Sequence, residues 1–161
     1  GHETPMLAAA EDTEMVAARL QAAGLAPRFV GTEIGRASTI KMLRSVMVKG
    51  MEALTVECFR AAARAGVAEE VANSLDASEG GLGWAEQTAY NMERMTAHGI
   101  RRAAEMREVA KTLRGLDVAP VMTTGTISWE EEMGALDLSL DSGTPLAEQL
   151  TLIERALEKG E

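Results

Sequence analysis

Lys41, Arg44, Ser45, Lys49 and Glu52 interrupt a segment that is otherwise largely apolar. A lysine beside a hydroxyl, a carboxylate and further cations is a set that can move protons and hold anions. At about 100° per residue, with Lys41 at zero, Glu52 falls near ~+20°, Ser45 near ~+40°, Lys49 near ~+80° and Arg44 near ~−60°. All five therefore share one face of a helix. Such a stripe either faces solvent, where charged residues usually lie, or lines a polar cleft. A lysine partly withdrawn from water near the positive end of a helix has its charged form disfavoured. It can then act as a general base near neutral pH.

A helix must present these residues, and the sequence predicts one over 36–65, free of proline and stopped at Gly66. Ile40, Leu43, Met47, Met51, Leu54 and Cys58 recur at helical spacing, with Met42, Val46 and Val48 off that stripe. A helix apolar nearly all round is expected to be buried, with Cys58 in the core. The turn from Gly31 to Gly35 leads into it. Ser38 and Thr39 suit either capping or a hydrogen bond to a ligand at the helix entrance. Upstream, 4–8 reads as a short strand or an extended lead-in and 27–31 as a short strand, on either side of a helix at 11–23. Glu11, Asp12 and Glu14 suit the start of that helix and Gly24 its stop. This order is that of the last unit of an α/β domain.

Downstream, helices are predicted at 68–76, 84–97, 99–114, 121–135 and 145–159, with Glu79–Gly83 as a flexible joint. Trp84, Tyr90, Met92 and Met95 form a bulky surface. Thr144 and Pro145 open the last helix, whose Leu146, Leu150, Ile153 and Leu157 make one seam. His98 beside Gly99 reads as a helix-junction residue, with a catalytic role as the lesser alternative. Glu130–Glu132 read as a solvated face. Arg107, Lys111 and Arg114 read as intrahelical partners of Glu105 and Glu108.

Composition narrows the function. The chain has 161 residues, 16 Lys plus Arg against 25 Asp plus Glu, and a net charge of −9. That balance argues against a nucleic-acid footprint. One Cys excludes a disulfide scaffold or four-cysteine zinc site, and two His leave little for any other metal. No apolar run approaches the ~18 residues of a membrane span, and no signal peptide is visible, so a cytoplasmic protein is expected. With 3% aromatics and 10 Met, the core must come from Leu, Met, Val and Ala.

The run from Gly31 and Gly35 through Lys41 to Ser45, continuing Val48-Lys49-Gly50-Met51-Glu52-Ala53-Leu54, resembles the domain junction of the β-hydroxyacid dehydrogenases, which include 6-phosphogluconate dehydrogenase. The nearer likeness is to a subgroup with a helical C-terminal domain of unknown function. Tyr90–Met95, His98-Gly99 and Arg101–Met106 are similar to that subgroup as well. The resemblance implies a mainly α fold: an orthogonal helical bundle around the long helix, preceded by a short β-α-β remnant of a Rossmann domain. Residues 1–34 would be the incomplete tail of the dinucleotide-binding domain and 35–161 the helical substrate and dimerisation domain.

It further implies that Lys41 is the general acid/base. Ser38, Arg44, Ser45, Glu52, Arg101 and Arg102 would contact a small carboxylate substrate, and Gly35 and Lys41 an NAD or NADP cofactor. Ser45 stands where many members carry Asn. Val48 stands where 6-phosphogluconate dehydrogenase carries a catalytic Glu, which argues against decarboxylation of that substrate. No G-x-G-x-x-G follows a first strand. The expectation is therefore the C-terminal part of a longer dehydrogenase, a homodimer, with no nicotinamide bound by the chain alone. The competing expectation is a non-catalytic dimerisation or ligand-binding module.

Overall fold

The computed structural model describes residues 6–78, 83–141 and 143–160. Along them run β1 (Leu7–Ala8), α1 (Thr13–Ala22), β2 (Arg28–Phe29), α2 (Arg36–Ala65), α3 (Ala68–Ser78), α4 (Trp84–Gly115), α5 (Val121–Gly134) and α6 (Leu146–Gly160). The fold is mainly α, as the composition requires. The expected joint at Glu79–Gly83 lies, except for Gly83, outside the described residues. Packing divides the chain into residues 1–44 and 45–161, and the division falls inside α2. The change of composition at Gly35 places it earlier.

In the first unit β1 and β2 are parallel, with Leu7 opposite Arg28 and Ala8 opposite Phe29. Parallel strands need a crossover, and α1 supplies it. Asp12 caps α1 by accepting from the Met15 amide at 2.9 Å. The expected strands shrink to two residues each, and residues 4 and 5 lie outside the described chain.

The second unit has one apolar core. Ala53, Val56 and Phe59 of α2 meet Ala72 of α3, Met92 and Met95 of α4, Met133 of α5, and Leu150 and Ile153 of α6. Leu146 and Leu157 pack against it, so the α6 seam lies as the spacing predicts. Gly66 ends α2, with its amide on the Ala63 carbonyl and the Val67 amide on that of Ala62.

Two expectations about helices fail. The stripe of Ile40, Leu43, Met47, Met51, Leu54 and Cys58 is exposed, reaching 67% at Met47 and 50% at Leu54. The core takes the other side of α2. Periodicity identifies an apolar face without identifying what covers it. The break at His98-Gly99 is also absent, since α4 runs unbroken from Trp84 to Gly115. His98 is exposed on that helix.

Gly99 lies in the helix interior because α5 crosses there. A Cβ on Gly99 would collide with the carbonyl of Glu130 and lie 2.8 Å from Gly134 Cα. A Cβ on Gly134 would lie 2.8 Å from Gly99 Cα. Both obstacles are backbone and cannot rotate away. Gly99→Ala should therefore destabilise the protein by about 2 kcal/mol or more, although alanine is the better helix former. Thermal unfolding checks this: Tm should fall by roughly 4 °C or more.

Candidate functional site

The first unit holds a cleft of about 730 Å³. Ser38, Lys41 and Arg44 of α2 line it with Arg28 of β2, and Met6, Leu7, Ala37 and Ile40 complete the wall. Local sequence explains the placement. Gly35 has φ of +94°, a conformation that side chains rarely adopt. Its carbonyl accepts from the Thr39 amide at 2.9 Å, which starts α2. Ser38, Lys41 and Arg44 then recur at spacings of three, which keeps them near one another on the helix. The role of Gly35 visible here is in the backbone.

Lys41 is exposed, as are Ser38 and Arg44. The partial withdrawal from water assumed for the Lys41 amine is therefore not supplied by this cleft alone. Arg28 was missed by the sequence reading. Its signal was available: β2 was expected, and a strand leading into α2 brings its side chains to that helix's start.

Beyond Arg44 the polar stripe neither faces solvent nor lines an open cleft. It enters the second unit's interior. Lys49 is buried and donates to Glu105 Oε2 at 2.6 Å. Glu105 also accepts from Arg101 at 2.8 Å. Glu52 is buried in an ion pair with Arg102, with Arg94 at 3.9 Å. Arg102, 3% exposed, donates through Nε to Glu130 Oε1 at 3.0 Å.

Glu52 and Arg102 therefore serve the bundle in this chain. Arg101 is exposed, and Ser45 is half-buried. Glu130 is fully buried, contrary to the expected solvated face. The expected Lys111–Glu108 pair forms within α4, but Arg107 reaches across to Glu131 of α5. Spacing along one helix cannot reveal a partner on another.

Burial pushes the Glu130 carboxyl above the usual glutamate range, and the attraction of Arg102 only partly offsets this. Its Oε2 has no hydrogen-bond partner among the described residues. Arg60 is a second clamp that sequence reasoning missed. It donates to Glu154 at 2.8 Å and Glu132 at 2.7 Å, and stacks over Trp129 at 5.2 Å. Burial favours protonated Glu154, but hydrogen bonds from Arg60 and Arg64 outweigh it and lower that carboxyl.

Among the described residues no group of three or more His, Cys, Asp or Glu could hold a metal. No described helix is long and apolar enough to cross a membrane.

The family model DUF1932, described as a domain of unknown function, matches residues 62–133. A conserved hypothetical protein from Sinorhizobium meliloti 1021, known from a crystal structure, superposes with TM-score 0.85 at 33% identity. The match covers 97% of this chain and 53% of that one. The conserved protein MTH1747, whose structure is described as similar to 3-hydroxyacid dehydrogenases, gives TM-score 0.69 at 35% identity. That match covers 80% of this chain and 49% of the other. An uncharacterised 28.5 kDa protein of Methanothermus fervidus is 29% identical over 103 residues, 64% of this chain and 41% of that protein. The chain thus spans about half the length of these relatives.

The buried cluster makes a testable statement. Arg102→Ala leaves two buried carboxylates without their shared cation and should cost about 3–5 kcal/mol in urea unfolding. Glu130→Gln should leave stability at neutral pH equal or higher. A raised carboxyl contributes stability below the ordinary glutamate range and loses it as pH rises through the raised value. Wild type should therefore gain on Glu130→Gln as the pH is lowered.

Proposed function

We propose that the chain is the C-terminal part of an NAD(P)-dependent dehydrogenase acting on a hydroxy acid, a reading supported by the DUF1932 match over residues 62–133 and by the likeness to MTH1747. Lys41 is its general acid/base. The observation that carries this reading is the cleft at the start of α2. Lys41 shares it with Ser38, Arg28 and Arg44, so a proton-transfer group lies beside donors for a carboxylate.

Oxidising a hydroxyl to a carbonyl removes a hydride from carbon and a proton from oxygen. The proton is the part this chain would handle. Lys41 accepts it on oxidation and returns it on reduction, while a guanidinium holds the carboxylate. An exposed lysine needs desolvation for this work. Closure of the cleft by substrate and by the rest of the protein would supply it.

The redox cofactor is a separate matter. A dinucleotide pyrophosphate sits on a glycine-rich turn at a helix N-terminus that follows a strand. After β1 this chain has Ala9-Ala10-Glu11-Asp12. Asp12 occupies the Met15 amide, and Glu14 adds charge of the wrong sign. These residues do not fit the pyrophosphate. In the proposed full-length dehydrogenase, other residues would hold the cofactor that takes up the hydride.

Ser45 and Arg101 remain candidates only through the resemblance. The reading includes a cytoplasmic location, a small carboxylate substrate, and a homodimer. Exposed Met47, Met51 and Leu54 on α2 of the second unit support the dimer.

In the full-length protein, Lys41→Ala should lower kcat by several decades, with Lys41→Arg little better. Steady-state kinetics decides this, and an unchanged kcat rejects the role. Met51→Glu should convert the dimer to a monomer in sedimentation equilibrium. An unchanged mass removes that face from the interface.

A further inference from the structure

We infer that the cleft of the first unit takes a small dianion, a short carbon chain carrying two acidic groups. The inference rests on the reading that this cleft receives the substrate.

The chain carries 25 acidic residues against 16 basic ones. The cleft inverts that balance. Arg28, Lys41 and Arg44 line it, and none of its lining residues is an acid. A surface cleft lined by one sign of charge raises the local concentration of the opposite ion.

The two arginines are also uncommitted. Among the described residues neither Arg28 nor Arg44 has an ion-pair partner. In the second unit Arg60, Arg101, Arg102 and Arg107 are each paired with a glutamate. A guanidinium fork grips one carboxylate or phosphate through two parallel hydrogen bonds. With Lys41 reserved for the reacting oxygen, a monocarboxylate occupies one fork and leaves the other unused.

Arg28 comes from β2 and Arg44 from the third turn of α2, so two separate elements each supply a fork. Met6, Leu7 and Ile40 face the space with them, which suits a short hydrocarbon link. The volume of about 730 Å³ accommodates a small acid.

Calorimetry on the 161-residue chain at low ionic strength tests this with acetate, malonate and phosphoglycolate. At least one of these two-acid anions, malonate with two charges or phosphoglycolate with nearly three, should bind about tenfold or more tightly than acetate. The malonate and phosphoglycolate arms tell a second carboxylate from a phosphate. Arg28→Met and Arg44→Met should each bring the tighter dianion to within about twofold of acetate, and Arg28→Lys should retain part of the preference.

Equal binding of all three anions overturns the inference. So does an Arg28→Met protein that keeps its helical circular dichroism and the full preference. If Arg28→Met does not fold, competition on wild type decides: acetate must need about tenfold excess or more to displace the dianion. A dianion preference in a protein whose turnover survives Lys41→Ala keeps this inference and removes the acid–base role. Loss of turnover without the preference removes this inference alone.

Discussion

The second unit depends on how closely α4 and α5 approach at Gly99 and Gly134. With no side chain on either glycine, the two backbones touch. That contact carries Glu130, one turn before Gly134, under α4 and beside Arg102. A carboxylate so deeply buried needs a cation, because removing an unpaired ion from water costs several kcal/mol. Arg102 serves Glu130 and Glu52 together, one guanidinium between two carboxylates. Burial raises the Glu130 carboxyl, and the cations around it, Arg102 first, only partly offset that.

The orientation of α2 within this unit follows. Glu52 must reach Arg102 and Lys49 must reach Glu105, so that edge of α2 turns inward. The apolar edge with Met47, Met51 and Leu54 is then left outside. A wetter clamp fixes the far end. Arg60 joins α2 to α5 through Glu132 and Trp129, and to α6 through Glu154. Glu132 is half exposed, so solvent and salt weaken this clamp more than the interior cluster. The two sites respond to pH in opposite senses. Acid relieves Glu130 but weakens Glu154, whose carboxyl is held low by Arg60 and Arg64.

Charge distribution separates the two units chemically. In the second, the described arginines of the bundle interior are satisfied by glutamates. In the first, cations gather at a cleft without an acid. Cross-linking a bundle and receiving a ligand make opposite demands on a guanidinium: one requires a fixed internal carboxylate, the other requires its absence.

The sequence by itself determined the helical class, the span of α2, the α6 seam and the turn at Gly35 that brings Ser38 and Lys41 together. These rest on helix periodicity, capping and glycine backbone freedom, all local along the chain. It also pointed to the parallel pair around α1. Tertiary structure decided which side of α2 is buried. It decided that Glu52 and Arg102 bind each other, that Glu130 leaves the solvated run, and that Gly99 is a crossing rather than a break. Each of these depends on a partner far away in sequence. A helical pattern shows that two faces differ, but only the helix packed against one of them settles which lies inside.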